Sequence, residues 1–109
     1  MNFVEINKRI KSLMEQGVVT PHIGVAKQSI PIKIEGVNRH ARTHGVTLEQ
    51  AQAFVDTSEV MFEQVNRRMF LSQDGSATVI IENKRLISAY SREYFDPAIL
   101  AILEVLENV

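Results

Sequence analysis

Apolar residues return at helical spacing at the start of the chain, where Phe3, Ile6, Ile10, Leu13 and Met14 mark one side. Asn2 stands before them as an N-cap and Gly17 after them as a stop, so the spacing predicts a first helix. Over residues 18–36 the pattern breaks around Pro21, Gly24, Pro31 and Gly36, with β-branched pieces such as Ile32-Lys33-Ile34. This reads as a loop with one or two short strands, connecting the first helix to the rest.

Asn38 can cap a short helix running through His44 and stopping at Gly45. A second helix begins at Thr47, where Gln50 three residues on completes a capping-box pattern. Leu48, Ala51 and Val55 give it a buried stripe, and it ends before Asp56-Thr57-Ser58. Four runs then change to strand chemistry: 60–65, 68–72, 77–82 and 85–90. Asp74-Gly75 and Asn83-Lys84 are turn signals between them, and connectors this short require antiparallel neighbours. A last helix starts at Asp96-Pro97, with Ile99, Ile102, Leu103 and Leu106 facing the core and Glu104 and Glu107 facing water.

The expected fold class is therefore α+β: N-terminal helices, a four-stranded antiparallel meander and a C-terminal helix, with one sheet face on the helices and the other open. Residues 1–32 form an N-terminal helix and connecting segment, and 33–109 the core, within one compact domain. A length of 109 residues suits a single core. There is no internal repeat or low-complexity tract.

Composition narrows the classes of function. The chain has no Cys, which removes disulfide scaffolds, thiolate metal sites and Cys nucleophiles. Its longest C-terminal apolar run, Ala98 to Leu103, is far short of the roughly 20 residues of a membrane span. No signal-peptide core opens the sequence, so a soluble, cytoplasmic protein without a membrane partner is the expectation. The net charge of −1 hides an uneven spread. Residues 21–44 hold Lys27, Lys33, Arg39 and Arg42 against Glu35 alone, together with His22, His40 and His44. Residues 93–109 carry four acids and no base. The first stretch is a candidate anion site, or else a solvated face.

Asn38-Arg39-His40-Ala41-Arg42-Thr43-His44-Gly45 holds the most chemistry. On a helix, His40 and His44 project from one face about 5–6 Å apart. Such a pair can share general acid and base work, bind a metal, or be plain polar surface. Metal ranks last, because no carboxylate lies in the stretch and His22 is the one further imidazole. Arg39 and Arg42 could hold a phosphate. In the last strand, period-two alternation puts Leu86, Ser88 and Tyr90 on one face, with Ile87 and Ala89 on the other. Ser88 and Tyr90 could donate to a phosphate from an open sheet face, although both are also ordinary strand residues. Arg68, Phe70 and Ser72 share a face of an earlier strand, and Ser91 and Arg92 are polar candidates at the rim. No phosphate-binding glycine loop and no G-x-S-x-G elbow is present.

The run from Arg42 through Thr43-His44-Gly45-Val46-Thr47-Leu48-Glu49-Gln50 to Ala51 resembles part of the small BECR domains, the barnase, EndoU, colicin and RelE-like group of ribonuclease toxins. So do Ser72-Gln73-Asp74-Gly75-Ser76 at a meander turn and Leu86-Ile87-Ser88-Ala89-Tyr90 followed by Tyr94-Phe95-Asp96-Pro97. The likeness spans about residues 33–106. It implies a phage- or polymorphic-toxin-associated endoribonuclease without metal or other cofactor, in which the RNA 2′-hydroxyl attacks the adjacent phosphorus. The resemblance implies His40 or His44 as general base or acid, Arg42 on the phosphorane, and Ser88 and Tyr90 positioning the phosphate, with Tyr90 an alternative proton donor. RNA would be the substrate, tRNA among the candidates, and a cognate immunity or antitoxin protein a partner. Two other functions remain open: a catalytically silent phage or toxin-associated interaction module, and an immunity or antitoxin protein. The sequence does not set the oligomeric state.

Overall fold

In a computed structural model, which describes residues 2–20, 24–27, 31–72 and 74–108, helices flank a single mixed sheet. The elements are α1 (Phe3–Glu15), β1 (Gly24–Lys27), β2 (Gly36–Arg42), α2 (Leu48–Thr57), β3 (Val60–Glu63), β4 (Arg67–Leu71), β5 (Ala77–Glu82), β6 (Arg85–Ser91) and α3 (Pro97–Glu107). A 3-10 turn over Arg92–Tyr94 joins β6 to α3. The sheet has six strands in the order β1-β3-β4-β5-β6-β2. All neighbours are antiparallel except β2, which runs parallel to β6 along one edge.

The helix ends follow the capping chemistry of the sequence. The Asn2 side chain accepts from the Glu5 N–H at 3.0 Å, and Gly17 leaves the first helix at φ +74°. Thr47 and Gln50 form the reciprocal capping box, with bonds of 3.0 and 3.1 Å. Asp96 caps α3 and Pro97 occupies its first turn.

The meander β3–β6 is present, as the centre of a larger sheet rather than the whole of it. Its tight turn at Asn83-Lys84 holds both residues at positive φ, +51° and +63°, the pattern of a type I′ hairpin. The helices are not gathered on one face. Ile6 and Ile10 of α1 pack with Ile99, Ile102 and Leu103 of α3 over Val25, Val60, Phe62 and Leu71. Ala51 and Val55 of α2 pack on the other face, over Met61, Phe70, Val79, Ile81, Leu86 and Ala89. Period-two strands buried on both sides explain why β3 reads as an unbroken apolar run.

The largest departure from the sequence reading is at residues 38–44. They form no helix: Gly36–Arg42 is the edge strand β2. Asn38 does use its side chain on nearby backbone, but it accepts from the His40 N–H at 2.9 Å in a local strand irregularity rather than capping a helix. Gly45 is left-handed at φ +83°, and so is His44 at φ +49°. With the Val46 N–H donating to the Thr43 carbonyl at 2.9 Å, the pair makes a tight turn leading out of β2. The i, i+4 relation of the two imidazoles is therefore lost.

Two side-chain amides finish the sheet's periphery. Asn7 donates to the Val25 carbonyl at 2.7 Å and accepts from its N–H at 2.9 Å, as a neighbouring strand would. Gln52 does the same for the segment before β2, accepting from the Ile34 N–H and donating to the Ile32 carbonyl, both at 2.8 Å. Ile32-Lys33-Ile34 lies outside the strands of the sheet. Among the described residues, no helix is long and apolar enough to cross a membrane.

Candidate functional site

Cross-strand pairing sets side chains in rows on each sheet face. On the face of α1 and α3, Phe62 pairs with Met69, Met69 with Ile80, Ile80 with Ser88, and Ser88 with Arg42. A second row beside it ends in Thr78 and Tyr90, and a third runs through Arg67, Glu82 and Arg85. The helices cover the second row at its β3 and β4 end. They leave a trough of about 290 Å³ over Met69 and Ile80, walled by Tyr90, Asp96, Ile99 and Ile102 and closed at its far end by Gln64 and Arg67.

The alternation of β6 is broken by one extra residue. Ile80 faces Ser88 while the next residue, Ile81, faces Leu86, so Ile87 is a β-bulge. Leu86 therefore turns into the α2 core with Ala89, not to the face of Ser88 and Tyr90. Ser88 and Tyr90 do share a face, and it is the trough face.

At the β2 edge four of the five sequence-nominated residues meet. The register places Arg42 opposite Ser88, whose hydroxyl donates a long 3.4 Å bond to the Arg42 carbonyl. Two residues on, the tight turn swings His44 against the aromatic residues after β6. Its ring stacks on Tyr94, 5.0 Å between centroids and 19° between planes, and meets Tyr90 edge-on at 6.3 Å. Tyr90 in turn stands edge-on to buried Phe95 at 5.7 Å. The fifth residue, His40, is exposed on β2, and the aromatic contacts of Tyr90 are with His44 and Phe95 rather than with it. His22 lies outside the described residues, as does Gln73 of the turn motif.

Burial, reinforced by the nearby Asp96 carboxylate, raises the Tyr90 pKa above the ordinary phenol value. Tyr90 thus stays a neutral O–H through the physiological range. Asp96 itself is occupied at the α3 N-terminus, accepting from the Ile99 N–H at 2.8 Å. Positive charge at the site comes from Arg42 on β2 and from Arg67 and Arg85 in the third row, with Glu82 between them.

The remaining nominated residues lie elsewhere. Arg68 shares a face with Phe70 as the alternation predicts, but that is the α2 side, where Arg68 lies 3.9 Å from Glu63. The Ser91 hydroxyl donates to Glu93 at 3.2 Å, and Arg92 pairs with Glu107 at 3.4 Å. Ser72 is buried in the β4–β5 turn, donating to Asp74 and accepting from the Ala77 N–H. Among the described residues, no three His, Asp or Glu side chains converge as a metal site would need.

Tyr94 and Arg67 were not legible as site residues. Tyr94 sits in the 3-10 turn, four residues after Tyr90, and only the chain's reversal after β6 brings it over His44. Arg67 is marked out only by its register with Glu82. Compared with protein-family models, with curated proteins and with solved structures, the chain gives no match.

Proposed function

We propose that the trough and its β2 rim bind single-stranded RNA and cleave it by general acid–base catalysis, without a metal. The observation that carries this reading is the contact of His44 with Tyr90, an imidazole and a phenol whose ring centroids are 6.3 Å apart, beside Arg42 and Ser88. His44 takes the proton of the RNA 2′-hydroxyl as its oxygen attacks phosphorus. The bond from phosphorus to the 5′-oxygen breaks, and Tyr90 supplies the proton to that leaving oxygen. A 2′,3′-cyclic phosphate and a 5′-hydroxyl result, and solvent exchanges restore both side chains. Arg42 offsets the added negative charge of the phosphorane, and Ser88 orients a phosphate oxygen. The raised Tyr90 pKa suits a proton donor, since the phenol holds its proton until a strongly basic oxygen develops.

The test is incubation of the purified chain with mixed RNA in the presence of a chelator. Cyclic-phosphate ends are expected, with the rate falling about 100-fold or more in His44→Asn and in Tyr90→Phe, the scale of one proton-transfer catalyst. Parent-like cleavage by both variants refutes the assignment. Absence of cleavage by the parent leaves a binding module or an immunity protein as the function.

A further inference from the structure

The far end of the trough is not used by the chemistry proposed above, yet it has a built shape. Arg67 stands on the same face as Met69, with its Nε 3.6 Å from Glu82, and lines the trough together with Gln64. From Arg42 on β2 to Arg67 on β4 is three strand spacings, roughly 14 Å. Along the row from Arg42 come Ser88 on β6, then the apolar Ile80 on β5 and Met69 on β4, the last two forming the trough floor beside Arg67. A cation on either side of an apolar floor, in adjacent rows of one sheet face, matches an alternation of phosphate, base and phosphate. Neither a small anion nor an apolar ligand would use all three parts.

We infer that the trough is a second nucleotide subsite: a base lies on Met69 and Ile80 while Arg67 holds the phosphate beyond the one engaged at Arg42. This rests on the RNA reading for its substrate class, and it adds a minimum ligand length. Glu82 competes for Arg67 in the free protein, so binding at this subsite exchanges one partner of the guanidinium for another. Arg67 is exposed and Glu82 half-buried, and at 3.6 Å the pair is weak, which keeps that exchange easy.

The test uses 2′-O-methyl oligouridylates, which lack the attacking hydroxyl and so report binding alone. The two-residue probe carries one phosphate and the three-residue probe two. The parent is expected to bind the longer probe about tenfold more tightly, the scale of one charge-assisted contact. Arg67→Gln brings that ratio to about one and flattens the salt dependence of the longer probe by about 0.7 in log–log slope. Glu82→Gln raises the affinity for the longer probe severalfold. A ratio near one in the parent, or an unchanged ratio in Arg67→Gln, overturns the inference. Cleavage of RNA with no Arg67 effect overturns only the subsite. An Arg67-dependent ratio in a chain that cuts no RNA overturns only the nuclease reading.

Discussion

His44 is held at φ +49° while its ring lies flat on Tyr94, so the turn's backbone and the aromatic stack constrain the same residue. A left-handed residue other than glycine costs about 1 kcal/mol or more, although His tolerates it better than most. The stack returns about 0.5–1.5 kcal/mol beyond burial. Two variants separate these effects. His44→Asn suits the turn and loses only the ring, so its melting temperature should fall by a few degrees at most. His44→Val, β-branched in a left-handed position, should be destabilised further. Equal melting temperatures for the two would mean the turn is not formed as described.

Tyr90 ionises late because it is half-buried and faces the Asp96 carboxylate. Absorbance titration should show one tyrosine ionising above the ordinary phenol value of about 10. Asp96→Asn keeps a capping side chain on α3 and removes the charge, so it should lower that midpoint without returning it fully, since burial is the larger cause. A group whose pKa is higher folded than unfolded contributes stability below the unfolded value and loses it as pH rises through the folded one. Alkaline unfolding should therefore begin at higher pH in Tyr90→Phe.

The β4–β5 turn predicts the acid side. The Asp74 carboxylate accepts from the Ser76 hydroxyl at 2.6 Å, the Ser76 N–H at 3.0 Å and the Ser72 hydroxyl at 2.9 Å. These bonds, those of Ser76 foremost, lower its pKa from 3.8 to about 2. Its contribution to stability is complete above the unfolded value and disappears as pH falls from there through about 2. Urea unfolding across that range should show a decline in the parent that is smaller in Asp74→Asn. Parallel declines would place the acid sensitivity in other carboxylates.

Much of this architecture is written locally and much is not. The caps at Asn2, Thr47 and Asp96 and the Asn83-Lys84 turn involve partners at most three residues apart, so the sequence shows them directly. Strand β2 is different. It lies at the sheet edge, carries Asn38, Arg39, His40 and Arg42, and has no apolar alternation because neither of its sides is deeply buried. Charged residues suit an edge strand, but in one dimension the same residues pass for a capped helix. Its partner β6 is more than forty residues away, and the pairing, not local propensity, decides its conformation. Arg42, His44, Ser88 and Tyr90 were legible as residue types. Their meeting was not, since it depends on that same pairing.

Gln52 gives a direct measure of how the β2 edge is held. Its amide meets both the Ile34 N–H and the Ile32 carbonyl, which have no strand beside them. Gln52→Ala leaves two part-buried backbone groups without these partners, at a cost of about 1–3 kcal/mol. Hydrogen exchange at the Ile34 amide should accelerate more than at Val79 in the sheet centre. Equal acceleration at both would mean that the segment opens only with global unfolding.

The bulge in β6 makes an unusual prediction about deletions. Leu86 and Ala89 are both buried under α2 although they are three residues apart, and Ile87 is the extra residue that permits it. Removing Ile87 restores simple alternation: Leu86 inward, Ser88 to the trough, Ala89 inward, Tyr90 to the trough. Each keeps its face, so the deletion should leave a cooperative unfolding transition, with a loss limited to the Ile87 contacts and the local twist. Removing Ala89 shortens the same interval by one residue, so Leu86 and Tyr90 again keep their faces, but the two residues left between them change sides. Ser88 would then take the place of Ala89 under α2, beside Val79 and Phe70, and Ile87 the place of Ser88 on the trough face, so a hydroxyl is buried in the apolar core and the Ser88–Arg42 pairing is lost. Circular dichroism melts of the two single-residue deletions decide the matter. An Ala89 deletion that unfolds at a higher temperature than the Ile87 deletion would mean that Ile87 is not the extra residue, and would overturn the assigned face of Ser88.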